Sequence, residues 1–136
     1  MAESGSKTVI GKVGRVSVPV SDQGAAIAFY TEKLGFSLTS DIPVDENYRW
    51  VEVTPPAGGT PLAIVPPPPN APDRIGIDTN VLLTTDDIDS AHAELRDRGV
   101  DVDAEVSRMG DPVPPMFWFR DQDGNTLLLV ETPDAQ

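Results

Sequence analysis

Apolar and polar positions alternate along short stretches of the chain, and two stretches with helical spacing interrupt this alternation. Every second residue from position 16 to position 20 is a valine, which is the pattern of a half-buried β-strand. An apolar stripe with the period of a helix follows at Ile27, Tyr30 and Leu34. The pattern therefore predicts a strand that leads directly into an amphipathic helix.

Local signals mark the ends of this helix and of a second one. Asp22 stands where a side-chain cap for the helix amino terminus is expected, and Gly35 stands where a left-handed carboxyl-terminal cap is expected. In the second half of the chain, Asp86 or Asp87 would cap a helix that stops at Gly99. The apolar stripe of this second helix comprises Ile88, Ala91 and Leu95.

The two helical patterns belong to an internal repeat. Residues 15–22 resemble residues 80–87, and each segment is followed by a helical pattern and by further strand-like segments. Two further pairs match: residues 49–52 with 117–120, and residues 61–65 with 126–130. The repeat predicts the order β-α-β-β-β in each half of the chain.

A proline-rich run separates the two halves. Prolines at 66–69 and at position 72 are incompatible with a helix interior or a central strand, so the run is a stiff linker. We predict a disordered tail over residues 1–8 and a first β-α-β-β-β module over residues 9–65. The linker then covers residues 66–77, and the second module covers residues 78–132. Together the modules are predicted to form one α+β domain.

Three motifs make the pattern specific. Residues 19–22 read PVSD, residues 29–36 read FYTEKLGF and residues 119–125 read FRDQDGN. In this order, on a duplicated frame, they resemble the glyoxalase/bleomycin-resistance/dioxygenase (vicinal oxygen chelate) superfamily from end to end. The resemblance implies a mixed sheet that curls into a cup, with both helices on its convex side and the ligand on its concave side.

Alternation along the strands assigns side chains to this cup, because the helices need the apolar face of the sheet. Both tryptophans, Trp50 and Trp118, then lie in the cup at related positions of the two halves, although Phe117 and Phe119 would exchange faces with Trp118 if the register shifted by one residue. The residues predicted to bind the ligand are Arg15, Ser17, Tyr48, Trp50, Glu52, Ala63, Asn80, Leu82, Met116, Trp118, Arg120 and Leu128.

The resemblance also implies where a metal ion would bind. Metal-binding members use four cup-facing ligands, usually His and Glu, and the corresponding positions here are Arg15, Ala63, Asn80 and Leu128. Arginine cannot ligate, alanine and leucine offer no donor atom, and asparagine offers one weak amide oxygen. The only histidine, His92, is expected at the solvent-facing edge of the second helix, and there is no cysteine. We therefore expect neither a metal site nor another cofactor.

Charge and composition narrow the range of molecules that the protein is expected to bind. The formal net charge is −12, which disfavours nucleic acids and anionic membranes and suits a cationic ligand. No apolar run reaches the roughly 18–20 residues of a membrane helix, and residues 1–8 lack the apolar core of a signal peptide. We expect a cytoplasmic protein that binds a small organic molecule and, as the resemblance implies, forms a homodimer.

Three functions remain open. The first is a non-catalytic binding protein, similar to the members of the family that sequester antibiotics without a metal, in which Trp50 and Trp118 stack on a planar ligand. The alternative for these tryptophans is that they fill a closed cup as core residues. Another of the three functions is that of a stand-alone protein that binds a regulatory metabolite.

The second function is a metal-independent lyase, isomerase or cyclase. Glu52 or Tyr48 would act as acid or base, and Arg15 or Arg120 would stabilise developing negative charge. The alternative is that Glu52, Arg15 and Arg120 form a mutual ion pair inside the cup. The residues favour binding and leave turnover open.

Overall fold

The computed structural model describes residues 9–71 and 74–132, which fold into two modules with the same order of elements. The first comprises β1 (Val16–Pro19), α1 (Gln23–Ala28) with a π-helical turn (Phe29–Lys33), β2 (Ser37–Asp45), β3 (Tyr48–Thr54) and β4 (Leu62–Val65). The second comprises β5 (Asp78–Thr85), α2 (Ile88–Asp97), β6 (Asp101–Val102), β7 (Met116–Arg120) and β8 (Thr126–Glu131). The predicted α+β fold with two β-α-β-β-β modules is confirmed, whereas the predicted tail over residues 1–8 lies outside the described residues.

Each module contains a four-stranded mixed sheet, and the two sheets share one topology. The strand order is β1-β4-β3-β2 in the first and β5-β8-β7-β6 in the second. The β1–β4 and β5–β8 pairs are parallel, and the remaining neighbours are antiparallel. Within the described ranges the two sheets are not joined into a closed barrel. None of the helices described is long and apolar enough to cross a membrane.

The predicted caps delimit both helices. The carboxylates of Asp22 and Asp87 accept the backbone N–H three residues later, at 3.0 Å and 3.1 Å respectively. Asp87, rather than its neighbour Asp86, is therefore the amino-terminal cap of α2. Gly35 and Gly99 adopt φ angles of 79° and 85° where the helical segments end, a conformation that glycine adopts without steric cost.

Each helix covers one face of its own sheet. α1 contacts β3 and β4, and α2 contacts β6 and β8. Tyr30 of the π-helical turn and Ile88 of α2 join the side chains of both covered faces in a single core. The fully buried strand residues of this core include Val18, Val51, Val53, Phe117, Phe119 and Leu127. The opposite faces of both sheets carry no helix in the part of the chain described.

Asn125, in the turn between β7 and β8, ties the two modules together. Its side-chain amide donates to the Pro19 carbonyl at 2.9 Å and to the Asp121 carboxylate at 3.0 Å. Its amide oxygen accepts from the backbone N–H groups of Gly76 at 2.8 Å and Ile77 at 3.1 Å. Asn125 has no exposed surface, and its bonds to Pro19 and Asp121 are buried. The FRDQDGN motif therefore has a structural role at the junction between the modules.

The prediction that His92 lies at the solvent edge of α2 is wrong. His92 is 7% exposed, and its ring meets the ring of Phe117 edge-on, with 4.9 Å between the centroids. Its Nε2 atom lies 2.6 Å from the carbonyl oxygen of Asp103. The physical reason is helical spacing: His92 follows Ile88 by four residues, so both side chains project from the same face of α2.

Candidate functional site

Three strands of the first sheet bring Ser17, Ala63 and Glu52 into one row on the face that α1 does not cover. Ser17 pairs with Ala63 across β1 and β4, and Ala63 pairs with Glu52 across β4 and β3. Trp50 lies two residues before Glu52 on β3, so it shares this face, where it is half-buried. We call this face the first open face, and the corresponding face of the other sheet the second open face.

Arg15, immediately before β1, extends over the first open face to Glu52 on β3. Its Nε atom donates to Oε2 of Glu52, and the same oxygen accepts from the indole Nε1 of Trp50 at 2.6 Å. Because β4 lies between β1 and β3, the Arg15 side chain must cross β4 to make this bond. Ala63, whose side chain is a single methyl group, lies on β4 between these strands. Glu52 thus holds the guanidinium of Arg15 and the indole of Trp50 side by side.

The Glu52 carboxyl group is held in its ionised form. Hydrogen bonds from Trp50 and then from Arg15 lower the pKa of Glu52 below its ordinary value, although burial acts in the opposite direction. Only 10% of the Glu52 side chain is exposed. A carboxylate whose pKa is lowered in this way is a weak proton acceptor at neutral pH. The two hydrogen bonds hold the Glu52 carboxylate in place beside Trp50 and Arg15.

Tyr48 and Ile42 extend the first open face in two directions. Tyr48 borders a cavity of about 760 Å³ between the β2–β3 turn and the prolines at 66–69, and its hydroxyl has no hydrogen-bond partner among the described residues. Ile42 pairs with Trp50 across β2 and β3 and is 57% exposed. Sequence reasoning missed Ile42 because the polar residues at 39–41 interrupt the apolar alternation of β2.

The second open face has an equivalent row, in which Leu82, Leu128 and Trp118 lie side by side on β5, β8 and β7. In this comparison Trp118 corresponds to Glu52 and not to Trp50. The prediction of related positions for the two tryptophans is therefore wrong by two residues along the strand. The reason lies in the loops, since residues 55–61 connect β3 to β4 whereas the shorter segment 121–125 connects β7 to β8.

The register around Trp118 follows from burial. Phe117 and Phe119 are 0% and 1% exposed and belong to the core, whereas Met116 and Trp118 are half-buried. Since neighbouring side chains of a strand point to opposite faces, Met116 and Trp118 lie on the second open face. The register in which the phenylalanines exchange faces with Trp118 is not adopted.

Arg120 has different partners from those expected. Its guanidinium binds the carboxylate of Asp103 at 2.9 Å and that of Asp101 at 3.4 Å. The hydrogen bond to Asp103 raises the pKa of Arg120, and both carboxylates add to this effect. The predicted ion pair among Glu52, Arg15 and Arg120 is therefore wrong for Arg120. The reason is that β6, which carries Asp101, pairs with β7, which carries Arg120. The ion pair between Arg15 and Glu52 is present.

Asn80 sits at an irregularity in β5. The pairing of β5 with β8 is interrupted between Asp78 and Leu82, and Asn80 adopts a φ angle of 59° there. Its backbone N–H donates to the Asp78 carboxylate at 3.0 Å. Asn80 is exposed, and Leu82, two residues later, is 61% exposed. The irregularity thus presents one amide and one large apolar side chain to solvent.

The two open faces remain separate within one chain. No hydrogen bond, ion pair or ring contact between the described residues joins the predicted ligand-binding residues of the first sheet to those of the second. Single-chain geometry therefore brings Arg15, Trp50 and Glu52 together but does not bring them to Trp118.

The four positions implied for a metal ion are related by the repeat but do not fit a metal. Arg15 precedes Ser17, the partner of Ala63, by two residues. In the same way, Asn80 precedes Leu82, the partner of Leu128, by two residues. A guanidinium, a methyl group, one amide and an isobutyl group do not supply the three or four donors that a divalent ion needs. Across residues 9–71 and 74–132, no three His, Cys, Asp or Glu side chains cluster in a way that could hold a metal ion.

A further cavity, of about 650 Å³, is lined by residues of both modules. Val16 and Phe36 of the first module and Leu83, Leu95 and Leu129 of the second are among its lining residues. These side chains belong to the core or pack against it. Asn80 and Leu82, two of the predicted ligand-binding residues, also line this cavity, whereas neither Trp50 nor Trp118 does.

Known proteins share this architecture and much of the sequence. The family model of the Glyoxalase/Bleomycin resistance protein/Dioxygenase superfamily matches residues 12–129. The uncharacterized protein YetH of Bacillus subtilis is 31% identical over 123 residues, which cover 90% of this chain and 100% of YetH.

Two solved structures extend the comparison. TnmS3, an antibiotic binding protein from Streptomyces sp. CB03234, is 37% identical with a TM-score of 0.75, covering 92% of this chain and 98% of its own. A superfamily member from Sphaerobacter thermophilus is 35% identical with a TM-score of 0.82, covering 92% of this chain and 100% of its own. The match of fold, motifs and length means that this chain belongs to the Glyoxalase/Bleomycin resistance protein/Dioxygenase superfamily.

Proposed function

We propose that this protein binds a small, planar organic molecule of the antibiotic type, without a metal ion, on the open faces that carry Trp50 and Trp118. The observation that carries the proposal is the position of these tryptophans, which are half-buried on sheet faces without a helix. An indole ring placed in this way offers a flat apolar surface to a flat ligand.

Similarity to TnmS3 supports the class of ligand. TnmS3 is an antibiotic binding protein, and 37% identity over 92% of this chain is well above the level at which only the fold is informative. The lack of suitable donors at Arg15, Ala63, Asn80 and Leu128 supports binding that needs no metal ion.

The surroundings of Glu52 support binding rather than turnover. Trp50 and Arg15 both donate to Glu52, and the lowered pKa makes its carboxylate a poor base. Tyr48, the other predicted acid or base, lies two residues before Trp50 on β3, whereas Glu52, which binds Arg15, lies two residues after it. The surroundings of Glu52 thus support binding, and Tyr48 remains the candidate acid or base of the alternative, catalytic function.

The proposal includes a homodimer in the cytoplasm. Ile42 and Leu82 are 57% and 61% exposed on the open faces, and a second copy of the chain would remove these apolar side chains from water. We expect sedimentation equilibrium to give a dimer for the unmodified protein and a monomer for Leu82→Lys. A dimer that survives this substitution would contradict an interface at Leu82. Cell fractionation tests the location.

Calorimetric titration with a panel of aromatic antibiotics, in buffer that contains EDTA, tests the proposed function. We expect at least one member to bind, and we expect Trp50→Ala or Trp118→Ala to weaken that binding by roughly tenfold or more. Phe29→Ala, a change outside the open faces, serves as the control. Chromatography of the bound antibiotic then separates binding from turnover, since a sequestering protein releases the molecule unchanged.

A further inference from the structure

We infer that Arg15 selects the ligand of the first open face, and that this ligand is a flat aromatic molecule with an acidic or oxyanionic group at its edge. This inference rests on the proposed function, because it names the chemical class of the molecule that stacks on Trp50. It differs from the expectation drawn from composition, since a net charge of −12 suits a cationic ligand.

The exposure of the ion pair decides which charge a ligand meets. The Arg15 side chain is 56% exposed, whereas the Glu52 side chain is 10% exposed. A molecule that approaches the first open face therefore contacts the guanidinium and has little access to the carboxylate. The exposed member of this pair is thus the cation although the whole chain is acidic, and short-range hydrogen bonds to a fixed charge outweigh a field screened by salt.

The guanidinium of Arg15 also has N–H donors that the bond to Glu52 does not use. Its Nε atom is bound to Glu52, and neither terminal nitrogen of Arg15 has a hydrogen-bond partner within residues 9–71 and 74–132. Two terminal nitrogens of one planar guanidinium match the spacing of two oxygen atoms in a carboxylate or sulfonate. Because Nε is fixed on Glu52, the side chain is already oriented before a ligand arrives, which lowers the entropic cost of binding.

The neighbouring groups define the shape of the ligand. Trp50 lies beside Arg15 because both donate to the same oxygen of Glu52, and Ile42 pairs with Trp50 on the adjacent strand. Trp50 and Ile42 would contact the face of an aromatic ring, while Arg15 would bind an anionic group at the edge of that ring.

Three probes that share one ring system and differ in charge test this inference: 2-naphthoate, 2-naphthamide and 2-naphthylmethylammonium. Nitrogen-15 NMR follows the indole N–H signal of Trp50, which is assigned by its absence in Trp50→Phe. We expect 2-naphthoate to bind at least about tenfold more tightly than the ammonium probe, as one charge-assisted hydrogen bond implies. Arg15→Gln should abolish this preference and Arg15→Lys should retain part of it.

Arg108→Gln is the matched control, because Arg108 is 52% exposed and pairs with Asp89 at the start of α2, away from the first open face. It should leave the preference for 2-naphthoate unchanged. Tighter binding of the ammonium probe, or an unchanged preference in Arg15→Gln, overturns the inference. Equal binding of all three probes overturns it and leaves the proposed function standing, whereas no response at Trp50 to any probe contradicts both.

Discussion

The phenolic hydroxyl of Tyr30, in the first module, donates a hydrogen bond of 2.8 Å to the carboxylate of Asp121, in the second. Tyr30 is fully buried and Asp121 is 6% exposed, so the bond lies inside the core that the modules share. Burial, and then the charge of Asp121, raises the pKa of Tyr30 well above its ordinary value. Tyr30 therefore stays neutral and remains a donor throughout the range in which the protein is handled.

Tyr30→Phe should lower the free energy of unfolding by about 1.5–3 kcal/mol, the range for a buried hydrogen bond to a charged group. Asp121 keeps its bonds from Asn125, so the loss should stop short of unfolding the protein. Urea denaturation measures the change. Tyr48→Phe is the control, since the Tyr48 hydroxyl bonds to none of the described residues. Equal stability of Tyr30→Phe and the unmodified protein would show that the bond contributes nothing.

Asn125→Asp should destabilise the protein more than Tyr30→Phe does, by about 3 kcal/mol or more. The substitution keeps the shape of the side chain but removes the donor that serves the Pro19 carbonyl. It also places a second carboxylate against Asp121. Thermal unfolding followed by circular dichroism provides the measurement. A loss smaller than that of Tyr30→Phe would contradict the role of Asn125 at the junction between the modules.

The lowered pKa of Glu52 predicts that the stability of the protein depends on pH. Its pKa is lowered in the folded protein from the ordinary value of 4.5, so its contribution to stability is fully present above pH 4.5 and is lost as the pH falls through the lowered value. Glu52→Gln lacks this contribution. We therefore expect the unmodified protein to be more stable than Glu52→Gln at pH 7 and the difference to shrink at pH 3. A difference that is the same at both pH values would mean that the carboxylate is not held by Trp50 and Arg15.

Substitutions at Asn80 test whether the left-handed backbone conformation in β5 is required for stability. Glycine adopts a φ angle of 59° without steric cost, so Asn80→Gly should leave stability within about 1 kcal/mol of the unmodified protein. Asn80→Val should cost roughly 1–3 kcal/mol, because β-branched residues rarely adopt this conformation. Urea denaturation compares the two variants. If Asn80→Val is as stable as Asn80→Gly, the left-handed conformation is not required.

Apolar alternation, helical spacing and the internal repeat together predicted the order of the elements, and the family resemblance predicted how they are layered. Asp22, Gly35 and Gly99 delimit the helical segments at the predicted places, because caps are local interactions between a residue and its immediate neighbours. The faces of the strands were also predictable, since side chains alternate with a fixed period of two residues.

Long-range pairing was harder to predict. The offset between Trp50 and Trp118 depends on the lengths of the loops that precede β4 and β8, which alternation within one strand does not reveal. The partners of Arg120 lie on β6 (Asp101) and immediately after it (Asp103), and this strand is too short to give a pattern of its own. His92 was misjudged for a different reason, because a polar residue on the apolar stripe of a helix looks like a surface residue until its neighbours are known.

A native mass spectrum of the protein, purified without a chelator, tests the central claim of metal-free binding most directly. It reports the oligomer, any bound metal ion and any small molecule that remains bound after purification. We predict a dimer without a stoichiometric divalent ion, which gains the mass of an aromatic antibiotic when that molecule is added. One divalent ion per chain, lost together with antibiotic binding on treatment with EDTA, would contradict the account.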